Sequence, residues 1–89
     1  MIQIEYHRNF KKHYQKRIKN NRKLNFIFHQ RTAQFIVNPN SSQLNNHQLT
    51  GLKKGLFSFS ITGDIRVIYR WIDNHTVYFL DIGTHNQVY

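Results

Sequence analysis

The chain has 89 residues, 39% hydrophobic and 15% aromatic, enough for one folded domain and no more. It has no cysteine, which excludes disulfides, thiolate metal ligands and thiol nucleophiles and suits a reducing cytoplasm. Thirteen Lys and Arg against four acids give a net charge of +9, so the expected partner is a polyanion; no apolar run nears the ~20 residues of a bilayer span, so no membrane is expected.

Ile2, Ile4 and Tyr6 alternate with polar neighbours and predict a short first strand. This opening lacks the charged-then-apolar order of a signal peptide. Asn9 is placed to cap a helix whose apolar positions, Phe10, Tyr14 and Ile18, recur every four residues. Lys11, Lys12, Lys16 and Lys19 fall on its other faces. Asn20 and Asn21 break the pattern. Leu24, Ile27, Phe28, Arg31 and Phe35 then predict a second helix. It ends near Val37, because Pro39 disfavours a helical Asn38. Nine of the thirteen cations lie between Arg8 and Arg31, a stretch with no acid. A merely solvated helix face mixes both signs, so this segment is read as a contact surface for a densely negative partner.

The Asn- and Ser-rich stretch from Asn38 to Asn46 reads as a loop, with Leu44, Leu49 and Leu52 expected to anchor it to the core. Gly51 and Gly55 bracket a basic turn holding Lys53 and Lys54. The period then changes to two. Phe57, Phe59 and Ile61 alternate with Ser58 and Ser60, and Thr62-Gly63-Asp64 forms a turn. Ile65 to Ile72 is a strand with Arg66 and Arg70 on one face and Val67, Tyr69 and Trp71 on the other. After a turn at Asp73-Asn74-His75, Thr76 to Ile82 is the last strand, and Gly83 opens a short tail. The expected fold is a single α+β domain over residues 1–89: a strand, two helices, then a three-stranded antiparallel meander with the helices packed on one sheet face.

The six histidines show no metal-ligand spacing, the acids are too scattered for a two-metal site, and no nucleophile elbow or glycine-rich phosphate loop exists, so no metal and no cofactor is expected. Metal-free RNA cleavage asks for less. The ribose 2′-hydroxyl is the nucleophile, and the protein need only move protons and stabilise charge on the phosphorane. Histidine or carboxylate can do the first and arginine the second.

Two motifs sharpen this reading. One is His47-Gln48-Leu49-Thr50-Gly51. The other is Gly63-Asp64-Ile65-Arg66-Val67-Ile68-Tyr69, with Gly83-Thr84-His85-Asn86-Gln87-Val88-Tyr89 at the end. Together with the order of elements, they resemble the RelE/ParE toxin superfamily, and its YafQ branch in particular, over nearly the whole chain. The resemblance implies a toxin that cuts messenger RNA in the ribosome and is held inactive by a cognate antitoxin. It implies catalytic roles for His85, Arg66, Asp64 and His47, and base stacking by Tyr89. Lys11, Lys12, Lys16, Lys19, Lys53 and Lys54 are the expected RNA-binding cations. YafQ-type members carry a further histidine four residues before the aspartate; here that position is Ser60, which leaves His85 as the main acid–base group. His7, His13, His29 and His75 sit in no motif and receive no role. The alternatives are a ParE-like toxin that binds DNA gyrase without catalysis, or a plain basic RNA-binding module.

Overall fold

The sheet has five strands, two more than the meander alone supplies, in the order β1-β5-β4-β3-β2. The structure is a computed structural model and describes all 89 residues. The expected meander is present as β3 (Phe57–Ser60), β4 (Ile65–Trp71) and β5 (Thr76–Thr84), all antiparallel. The first strand, β1 (Gln3–Tyr6), pairs parallel with β5, setting Ile4 beside Val77 and Tyr6 beside Phe79. A two-residue strand, β2 (His47–Gln48), edges β3 where the sequence reads as loop. Two residues are too few for an alternation to show.

Helix α1 (Arg8–Tyr14) runs directly into a π-helical turn over Gln15–Lys19. Its cap is His7 rather than Asn9: His7 is extended, and its Nδ1 accepts from the Asn9 N–H at 3.0 Å. The helix therefore starts before Asn9. The break falls at Asn20 and Asn21 as the composition suggests. The Asn21 side chain caps α2 (Arg22–Val37) by accepting from the Leu24 N–H at 3.1 Å.

One core lies between these two helices and one sheet face. Phe10, Ile18, Phe28 and Phe35 meet Phe59, Val67, Tyr69, Val77, Phe79 and Ile82. Phe35 stacks on Phe59 at 4.5 Å between ring centres and meets Tyr69 edge-on at 5.0 Å. The Tyr69 hydroxyl donates to Asn46 Oδ1 at 2.8 Å and ties the loop down, while burial pushes its phenol up to about 12. Leu44 is buried and Leu49 half-buried, but Leu52 stands fully exposed. It sits in a 3₁₀ turn (Gly51–Lys53) that leaves the protein surface, so it anchors nothing.

Strict alternation from Val77 and Phe79 would place Asp81 in the core. The register prevents this. Ile68 pairs with Asp81 but Tyr69 pairs with Phe79, so Leu80 is an extra, bulged residue. Ile82 takes the core position instead. The strand also continues past Gly83, and the expected tail is a short helix, α3 (His85–Val88). Its start is a capping box: Thr84 and Gln87 satisfy each other's backbone N–H groups. It packs on β4 and β5, and Val88 and Ile68 are buried outside the main core, forming a smaller apolar layer on the second sheet face.

Candidate active site

The second sheet face carries the candidate chemistry. Arg66 lies between the core residues Ile65 and Val67, so the pleat turns it away from the core. Its register partners are Ser60 on β3 and Gly83 on β5, and cross-strand partners share a face. The last pair of the ladder is Ile65 with Thr84; Asp64 precedes it in the turn before β4, and His85 follows it as the first residue of α3. Arg66 therefore lies near the end of the β4–β5 pair beyond which Asp64 and His85 stand. The turn that holds Asp64 is built by Thr62, whose hydroxyl accepts from the N–H groups of Asp64 (3.2 Å) and Ile65 (3.0 Å).

Arg66 has no anionic partner. The ion pairs of the chain are His13 with Asp81 and Arg17 with Asp81, and its Nε is buried without a hydrogen-bond partner. A guanidinium placed this way retains donor capacity for an incoming phosphate. Asp64 and His85 are exposed, and the His85 ring meets Tyr89 edge-on at 4.4 Å. Tyr89 therefore joins His85 at the surface, with part of its ring open to solvent.

Other expected residues stand apart. His47 is on edge strand β2, two strands from Arg66 and three from β5, the strand that leads into His85, which lies ~14 Å laterally from β2. Its Nδ1–H donates to its own loop at the Asn45 carbonyl, 2.9 Å away. Lys53 and Lys54 leave the sheet at the Phe57 end of β3, whereas Arg66 pairs with Ser60 at the other end, ~10 Å along the strand. Lys11, Lys12, Lys16 and Lys19 are all exposed on α1 and its π-helical extension, free of any ion pair.

Sequence reasoning missed three residues at this end of the sheet. The His13 Nδ1 lies 2.6 Å from Asp81 Oδ1, and Arg17 lies 3.6 Å from the same oxygen. Arg17 also donates to the Ile82 carbonyl at 2.8 Å. A detectable signal existed. His13 and Arg17 are four apart and flank the apolar row of Phe10, Tyr14 and Ile18, so they share the helix face turned toward the sheet.

Among solved structures, the chain is similar to a metal-bound toxin from Helicobacter pylori, at 20% identity, TM-score 0.79, with all of both chains covered. It is similar to YafQ from Escherichia coli strain BL21(DE3) at 24% identity and TM-score 0.71, covering all of this chain and 99% of that one. A third likeness is to the E. coli DinJ–YafQ toxin–antitoxin complex, at 25% identity and TM-score 0.68, covering 99% of this chain and 97% of that one. A search of curated proteins gives no match. The fold is thus that of the small α+β bacterial toxins. The family profile described as bacterial toxin of type II toxin–antitoxin system, YafQ, matches residues 2–89. The chain belongs to the YafQ toxin family. No three His, Asp or Glu side chains come together in the chain as a metal-ligand set.

Proposed function

We propose that this toxin is a ribosome-dependent mRNA endonuclease, acting without metal through attack of the 2′-hydroxyl on the adjacent phosphate. The observation that carries the reading is an arginine without an anionic partner, Arg66, near the end of the β4–β5 pair beyond which Asp64 and His85 stand. In the reaction the P–O2′ bond forms as the P–O5′ bond breaks, leaving a cyclic phosphate and a 5′-hydroxyl. Asp64 accepts the 2′-hydroxyl proton, and His85, in its protonated form, donates to the departing O5′. Arg66 holds the charge that builds on the non-bridging oxygens. Tyr89 offers a face for a neighbouring base. The substrate is a long polymer, so an open surface serves better than a closed pocket. The basic face of α1 supplies ribosomal RNA contacts, and the ribosome supplies the positioning that a small site lacks.

A cognate antitoxin is the expected partner, supported by the family description and by the E. coli complex of YafQ with DinJ. The test is induction in growing bacteria followed by mapping of RNA 5′ ends. New ends inside translated codons, absent with His85→Ala, are expected. Intact messages alongside damaged DNA would favour the gyrase reading and refute this one.

A further inference from the structure

We infer that Arg17, brought in from the first helix, is a second phosphate-binding guanidinium of this site, held in place by Asp81 and His13. The inference rests on the nuclease reading for its substrate, but its geometry stands independently.

Gly83 is the key. Its φ is not positive, so the backbone does not demand glycine there. Space does: a Cβ at Gly83 would lie 2.7 Å from Arg17 Nη1 and 2.6 Å from Gln87 Oε1. Arg17 therefore occupies the notch that the missing side chain leaves. Gly83 pairs with Arg66, so the notch opens on the Arg66 face. Two arginines thus converge on one cross-strand pair, Arg66 from β4 and Arg17 from the π-helical turn, its Nη1 lying over Gly83 of β5. Their mutual repulsion is relieved when an anion sits between them, and a phosphate with several acceptor oxygens fits that demand.

Arg17 is fixed rather than waving. Its Nη1 donates to the Ile82 carbonyl at 2.8 Å and lies 3.6 Å from Asp81 Oδ1. The Asp81 oxygen is itself held by His13 at 2.6 Å and by the Ile82 N–H at 2.8 Å. The Leu80 bulge is what keeps Asp81 out of the core and available to α1. Nη2 and Nε of Arg17 remain to contact a ligand. Asp81 and His13 are positioning residues and touch no substrate.

The experiment measures binding of a short mRNA oligonucleotide with 2′-deoxy substitution, which cannot be cleaved, by fluorescence anisotropy, with circular dichroism checking each variant's fold. Loss of one charge-assisted phosphate contact is expected to weaken binding about tenfold in Arg17→Ala. Arg70→Ala removes the same charge at the far end of β4, where Arg70 rests on the Tyr78 ring, and is expected to change affinity less than about twofold. Gly83→Ala keeps every charge but displaces Arg17 together with the Gln87 cap of α3, and is expected to weaken binding as well. Asp81→Asn separates positioning from simple charge. Removal of an acid beside a phosphate site should tighten binding by Coulomb's law, whereas loss of the brace should weaken it. It should also leave binding no weaker in an Arg17→Ala background, because Asp81 acts only through Arg17. Equal losses in Arg17→Ala and Arg70→Ala, or wild-type binding by a folded Gly83→Ala, would overturn the inference. A wild-type protein that binds the oligonucleotide in this pattern yet cuts no message would leave the inference standing and remove the nuclease reading instead.

Discussion

Arg66→Ala separates a functional arginine from a structural one, because the two roles predict opposite balances of stability and activity. In the folded protein this side chain forms no ion pair, and its Nε is buried without a partner. An unsatisfied buried donor costs ~1–3 kcal/mol, which truncation relieves. Against that stands the lost packing of the aliphatic stem, ~0.8 kcal/mol per buried methylene. The terms oppose one another, so net stability should change by no more than about 1 kcal/mol, well short of the several kcal/mol lost when a buried network is broken. Activity should behave otherwise. Removing a donor aimed at transition-state charge costs ~3–4 kcal/mol, or roughly 10²–10³ in rate. The assay pairs urea denaturation of purified Arg66→Ala with its cleavage rate on a programmed ribosome. A loss of several kcal/mol in stability, or a cleavage rate within about threefold of wild type, would refute the assignment.

Two further outcomes follow from the same structure. Burial raises the Tyr69 phenol to about 12 against an ordinary 10.0. A group whose folded value is raised adds stability that is complete below pH 10 and disappears as pH climbs through about 12. Stability should thus fall by roughly 2–3 kcal/mol over that window, and the fall should be absent in Tyr69→Phe when both are unfolded in urea at each pH. Replacing Lys11, Lys12, Lys16 and Lys19 together by Gln should flatten the dependence of log affinity for RNA on log salt by about 3, since each phosphate contact contributes roughly 0.7–0.9. An unchanged slope would show that these exposed lysines do not contact RNA.

What could be read along the chain was what depends on near neighbours. The helix row of Phe10, Tyr14 and Ile18, the Asn20–Asn21 break, the stop before Pro39 and the alternation through Ile65–Trp71 all arise from local periodicity or backbone restriction, and each appears where expected. Placing Arg66 on the face opposite Val67 and Tyr69 needed only the two-residue pleat. The segment holding His85 and Tyr89 was expected as a tail but folds into α3 through the Thr84–Gln87 capping box.

Pairing between distant segments decided the rest. Nothing in Ile2–Tyr6 says that β1 runs parallel to β5, and two residues at His47–Gln48 are too few to announce a strand. The same edge position separates His47 from His85, although their motifs suggest a shared site. Most telling is Asp81. Simple alternation sends it into the core; the Leu80 bulge turns Ile82 inward and leaves the carboxylate for His13 and Arg17. Sixty-four residues of chain separate Arg17 from that oxygen, so the arrangement exists only once helix and sheet have packed, when an unpaired buried acid would cost more than the bulge that spares it.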